Sequence, residues 1–225
     1  MGIFGGAQKK RQPARARPAS REAVVVLRFR RHSVNKGDKL TEEGEKLCGE
    51  RAEWEAKTLP EGTREVSVSH SPTNRTWQTA FGIVKGMHDA GIMPAGVAFY
   101  PQDKRLRSLD HPDAVKAELA KPGGIAKLLG DWMQDNPLPE GVETRRRVET
   151  RFKQLIDAVK RQGAQPGRPR VEYYFSHGGG DGKGGTLDAV FKMLGGKTSK
   201  PFSHLEGFDV HLLKNGRIWL AEARR

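Results

Sequence analysis

The chain is poor in cysteine, aromatic residues and acidic charge, and it has no long apolar run. Cys48 is the single cysteine among 225 residues. That excludes an internal disulfide, a disulfide-braced secreted fold, a cysteine-ligated zinc site and an iron–sulfur centre. Apolar residues make up 36% of the chain. No stretch approaches the ~20 residues a bilayer-crossing helix needs, so no membrane span is expected. Asp and Glu number 27 against 40 Lys and Arg, a net charge of +13. Such an excess points to acidic partners: phosphorylated molecules, nucleic acid or an anionic surface.

The charge is uneven. Residues 1–21 carry Lys9, Lys10, Arg11, Arg15, Arg17 and Arg21 and no acidic side chain. Rich in Gly, Pro, Ala and Arg and without apolar periodicity, this stretch reads as a basic disordered tail. Contact with nucleic acid is expected only through it. No apolar segment follows its charges as in a secretory signal, and Gly6 stands where myristoylation needs Ser or Thr. A cytoplasmic location is expected. Residues 22–225 are expected to form one domain, long enough to bury a substantial core.

Within that domain, strands and helices alternate. Ala23–Arg31 opens with three valines and a leucine, a buried-strand pattern. Residues 40–59 read as a helix with Thr41 as N-cap and acidic residues in its first turn. Strands are expected at 65–69, 96–100 and 171–176. Helices are expected at 73–90, at 114–129 with Pro122-Gly123-Gly124 interrupting, and at 186–194. The clearest helix spans 142–162, where Val148, Phe152, Leu155, Ile156 and Val159 recur at spacings of three and four. Residues 103–113 read as a polar loop. Asn215-Gly216 between alternating segments 208–213 and 217–222 predicts a hairpin. The alternation predicts an α/β layered domain with a mainly parallel sheet.

Ligands of such sheets bind beyond the carboxyl ends of the strands, so the residues just after each strand matter most. Here these are Arg31-His32, His70-Ser71 and Ser176-His177, each with a histidine. Burial and flanking guanidinium groups both favour neutral, nucleophilic imidazole at His32. Ser71-Pro72 leads into a helix with Arg75 in its first turn, where helix N-terminus and guanidinium together attract an anion. His177 is followed by glycines that admit close approach of the backbone to a ligand.

Arg31-His32 after the first strand, Leu40-Thr41-x-x-Gly44, Ser71-Pro72-x-x-Arg75-x-x-x-Thr79-Ala80 and Ser176-His177-Gly178-Gly179 occur in a familiar order. In these motifs, from about Val24 onward, the chain resembles the histidine phosphatase superfamily, the phosphoglycerate-mutase-like proteins. The resemblance implies a three-layer α/β sandwich with a mainly parallel central sheet flanked by helices. It also implies a phosphoric monoester hydrolase acting on a phosphorylated small molecule or phosphoprotein, with a mutase the lesser alternative. By resemblance, His32 attacks phosphorus and becomes phosphohistidine, while Arg31, Arg75 and His177 hold the phosphoryl oxygens. No cofactor and no metal is implied.

Two positions depart from the family. Ser33 stands where glycine is usual, and Val34-Asn35-Lys36-Gly37-Asp38 replaces the usual polar residues. In Arg105-Leu106-Arg107-Ser108, serine stands where members often carry the glutamate that protonates the leaving group. Asp110 is the first choice for that role, with Asp103 and His111 as alternatives. Ser33 and Ser108 favour the rival reading, a weak or inactive phosphate-binding regulatory module of the same fold.

Other signals carry less. The glycine-rich run from Ser176 to Gly185 lacks the nucleotide-binding spacing, since His177 occupies the first glycine position and Gly184 follows Lys183. No Gly-x-Ser-x-Gly elbow supports a serine hydrolase. Cys48, inside an expected helix, reads as packing.

Overall fold

The computed structural model describes residues 23–91, 96–109, 113–162, 169–178, 184–197 and 199–224. Residues 1–21, read as a basic tail, lie outside them. The first strand, β1 (Ala23–Arg31), matches its expected bounds. Two two-residue strands follow, β2 (Asn35–Lys36) and β3 (Lys39–Leu40), and form a small hairpin not expected from the sequence. Then come α1 (Glu42–Lys57), β4 (Glu65–His70), α2 (Asn74–Asp89) and β5 (Gly96–Phe99). After a single 3-10 turn at Lys104–Leu106 come α3 (Asp113–Leu119), α4 (Gly124–Met133), α5 (Arg145–Gln162) and β6 (Arg170–Ser176). The chain ends with α6 (Thr186–Met193), β7 (Gly207–Leu213) and β8 (Ile218–Ala223). The last two pair antiparallel, as the Asn215-Gly216 turn predicts.

The six-stranded sheet has the order β5-β4-β6-β1-β7-β8. β5, β4, β6 and β1 run parallel, and β7 returns antiparallel against β1. Side chains alternate across a strand, so each face receives every second residue. Val25, Leu27 and Phe29 face a core built with α4, α5 and α6, including Trp132, Phe152 and Phe191. Val26, with Val68 of β4 and Phe175 of β6, faces Cys48 and Ala52 of α1 and Ile83 of α2. The result is the expected three-layer α/β sandwich.

Helix α1 starts where the sequence suggests, because the Thr41 side chain accepts from the Gly44 amide at 3.1 Å. Gly44 is required for a different reason: a Cβ there would lie 2.1 Å from the Val34 carbonyl oxygen. That close approach presses the β1–β2 connection onto α1.

The described part of the segment expected as a polar loop, residues 103–109, is anchored. Leu106 is fully buried in the core under the sheet. The Leu106 carbonyl accepts from Ser176 Oγ at 2.5 Å. Arg151 of α5 donates to the Arg105 and Ser108 carbonyls while paired with Glu143. Arg105 and Ser108 are therefore held by backbone contacts that a reading of side-chain periodicity does not detect.

Candidate functional site

The parallel registers bring three strand ends together. Arg31 stands beside Ser176, and His70 beside Phe175. His32, Ser71 and His177 follow directly on these strands and meet at one edge of the sheet. The His32 and His177 rings lie 5.4 Å apart, edge to face.

His32 is buried, and its amide donates to the Ser176 carbonyl. Its Nδ1 lies 2.9 Å from the Ser33 carbonyl oxygen. A carbonyl only accepts, so Nδ1 carries the proton and Nε2 presents a lone pair. Burial pushes the imidazole down to about 3; the Ser33 bond opposes this, and the Arg31 and Arg75 charges reinforce it. The ring is thus neutral and fixed in one tautomer, the state required of a nucleophile.

His177 is nearly inaccessible, and its Nε2 lies 2.7 Å from Ser71 Oγ. Burial holds its titration well below the usual histidine range, assisted by His32, Arg75 and Arg31. Ser71 also contacts Thr73 and Thr76, so a cluster of hydroxyls at the start of α2 sets this ring.

The Arg31 guanidinium donates to the Phe202 carbonyl at 3.0 Å, and its Nε has no hydrogen-bond partner among the described residues. Among the described residues no carboxylate lies within ion-pair distance of it, and burial lowers its titration. Gly178 gives it room: a Cβ there would lie 2.5 Å from Arg31 Cδ. Arg75, in the first turn of α2, donates to the Gly37 carbonyl and stands 3.8 Å from Asp38. Its Nε is also without a hydrogen-bond partner among the described residues. The unexpected β2–β3 hairpin is thus what touches Arg75.

Ser33 is accounted for by its contacts. Its hydroxyl donates to the Gly44 carbonyl at 2.8 Å, and its amide donates to Thr79 Oγ1 at 3.0 Å. Both polar groups tie the loop to α1 and α2. Thr79, quoted only as part of a pattern, has the specific task of holding that amide.

The expected proton donors fare differently. Asp110 and His111 lie outside the described residues. Asp103 caps the 3-10 turn, and its carboxylate accepts from the Arg105 guanidinium at 2.7 Å. The structure thus gives Asp103 a capping and ion-pairing place beside Arg105.

One group at this edge was missed. His204, in the connection from α6 to β7, lies with its ring 5.7 Å from that of His32. Its Nε2 is 3.4 Å from the Arg31 guanidinium. The strand-end rule looks only at residues after a strand. Because β7 is antiparallel, residues before it arrive at the same edge, where the Arg31 amide donates to the Glu206 carbonyl. The hairpin signal in the sequence, applied to both ends of a strand, would have found it.

No protein-family model and no curated protein matches this chain. Solved structures do. A mycobacterial glucosyl-3-phosphoglycerate phosphatase in complex with VO3 aligns at 20% identity with a TM-score of 0.57, over 88% of this chain and 97% of its own. A phosphoglycerate mutase from Bacillus anthracis aligns at 15% identity and 0.58, over 90% and 94%. An alpha-ribazole phosphatase from Shigella flexneri aligns at 15% identity and 0.51, over 89% and 96%.

Proposed function

Starting from a chain with the histidine phosphatase superfamily fold, we propose that it is a phosphatase that hydrolyses phosphate monoesters, on small molecules or on protein, through a phosphohistidine intermediate and without a metal. The observation that carries this reading is the state of His32: neutral, with Nδ1 held by the Ser33 carbonyl and Nε2 free beside Arg31 and His177. In the first step Nε2 bonds to phosphorus as the ester P–O bond breaks, and the leaving oxygen takes a proton. In the second, water attacks the phosphohistidine and releases phosphate. Phosphoryl transfer depends mainly on positioning and on positive charge around the transferred group. Arg31 and Arg75 supply that charge, and His177, set by Ser71, supplies a directed ring nitrogen.

The Bacillus anthracis relative is a mutase and the mycobacterial and Shigella relatives are phosphatases. The phosphatase reading rests on this chain's own pocket, whose motifs specify a phosphoryl group and little else. Asp110 remains the proposed proton donor. Loss of such a donor typically costs about 10²–10⁴-fold.

The test is hydrolysis of para-nitrophenyl phosphate with a chelator present, comparing the parent with His32→Ala. Turnover that survives chelation and disappears in the variant supports the reading. Asp110→Asn is then expected to lose far more activity on an alkyl phosphate than on the aryl substrate, whose leaving group needs no proton. Binding of phosphate without turnover in the parent would instead support the non-catalytic anion-binding module.

A further inference from the structure

His204 is not part of the mechanism just described, yet it stands inside the same pocket. It is carried there by a tethered loop. The Phe202 amide donates to Asp188 at 2.9 Å, the Ser203 amide to Glu206 at 2.8 Å, and Arg224 pairs with Glu206 at 2.8 Å. With its ring 5.7 Å from that of His32 and its Nε2 3.4 Å from the Arg31 guanidinium, His204 borders the space in front of both.

A guanidinium only donates, so the Nε2 facing it acts as an acceptor and Nδ1 carries the ring proton. Burial and the Arg31 charge hold this imidazole down to about 4. Its neighbours at the end of β1 are the Arg31 guanidinium and the neutral His32 ring. Beyond them stand the neutral His177 ring, edge to face with His32, and Arg75, whose Asp38 neighbour belongs to the β2–β3 turn. The nearby carboxylates are engaged elsewhere: Asp188 by the Gly185 and Phe202 amides, Glu206 by Ser203 and Arg224. Among the described residues no carboxylate contacts the His204 ring. A dianion held by Arg31 in front of His32 is therefore the first negative charge this ring meets, and it reverses the local field.

Resting on the phosphoryl-pocket reading above, we propose that His204 is a further phosphoryl-oxygen ligand, and that it takes up a proton as the dianion enters. His32 cannot serve this way, because its Nε2 is the attacking atom. His177 Nε2 is already engaged by Ser71. His204 would add a charge that appears only with the substrate, so the pocket need not hold it against Arg31 and Arg75 beforehand.

Sulfate is the probe, since it stays dianionic across the working range and has no ester bond to break. Histidine ring signals of the full-length chain are followed by NMR against pH, with and without saturating sulfate at constant ionic strength. The signal lost in His204→Gln is that of His204. Its midpoint is expected to rise by about 2.5 pH units with sulfate, the shift that proton linkage requires for a tenfold effect at pH ~5.5. His204→Gln is expected to bind sulfate about tenfold more weakly at pH ~5.5 and within about twofold of the parent at pH ~8.5. A midpoint that sulfate does not move, or an affinity loss equal at both pH values, overturns the proposal. If His204→Gln does not fold, His204→Asn assigns the signal, and the shift itself is read in the parent. Sulfate-responsive His204 without His32-dependent turnover would fail the phosphatase reading alone. Turnover with an unresponsive His204 would fail this proposal alone.

Discussion

Arg30 and Arg31 are adjacent in the chain and opposite in circumstance. Arg30, with Arg28 on the same face of β1, points at α1. There Glu55 accepts from Arg28 and Arg30 at 2.6 Å and from Arg51 at 2.8 Å. Asp209 of β7 adds a second carboxylate, 2.7 Å from Arg30. Tyr173 donates to Glu55, and Arg51 lies over the Trp54 ring at 3.9 Å. Arg31, one residue on and therefore on the other face at the strand end, meets a carbonyl and a histidine. Both regions are buried and rich in arginine. One is closed by carboxylates; in the other, among the described residues, no carboxylate comes within ion-pair distance of Arg31. Charge density alone did not distinguish them: in the sequence, Arg30, Arg31 and His32 read as one electropositive group. What differs is whether a neighbouring element brings a counter-charge, and α1 brings Glu55 only to the inner face.

The strongest way to break this contrast is to remove the shared carboxylate. Glu55→Gln leaves three buried guanidinium groups with Asp209 alone, and breaking such a buried network typically costs about 3–5 kcal/mol. A urea unfolding midpoint should fall accordingly, while the variant that remains folded keeps its activity per molecule. Loss of activity without loss of stability would show that the network belongs to the site.

The converse experiment is Arg31→Gln. Losing one charged donor to a phosphoryl group should lower kcat/KM by about 10²–10³-fold. Stability should change by less than about 1 kcal/mol, because only one carbonyl contact is lost and an unpaired buried charge is removed. A large loss in the unfolding midpoint would mean that Arg31 serves structure as Arg30 does.

The smallest effect sharpens the comparison by pH. His32, His177 and His204 titrate below the ordinary value of 6.5 in the folded chain. The unfolded state therefore binds more protons once pH falls below that value, and stability declines from about pH 6.5 downward. Glu55 is held far below its ordinary 4.5 by Arg30, Arg28 and Arg51 against its burial, so its contribution persists until the solution is strongly acidic. Thermal unfolding followed from neutral to mildly acidic pH should show the histidine-linked decline first. Sulfate, at matched ionic strength, should flatten it.

How much was legible follows from the kind of signal each feature leaves. β1 was read to the residue because a continuous apolar run has few alternatives. The α5 helix was clear from its spacing, and the final hairpin from Asn215-Gly216. His32, His177, Arg31 and Arg75 were named because motif and strand-end position coincide. The β2–β3 hairpin left no signal, since two-residue strands have no periodicity. The anchoring of Leu106 and Ser108 was also hidden, because backbone carbonyls receive those contacts and every residue type has one.

The amino-acid order alone determined the layering, the parallel strands and the residue types that gather at their carboxyl ends, because local periodicity and chain connectivity decide these. Packing in three dimensions set which arginines are neutralised, which tautomer His32 adopts and that His204 lies beside His32 and Arg31. Those outcomes depend on contacts between residues far apart in the chain: Arg30 with Glu55 and Asp209, Arg31 with Phe202 and His204, His177 with Ser71. The sign and protonation of a buried group follow from its nearest neighbours in space, and those are settled by packing.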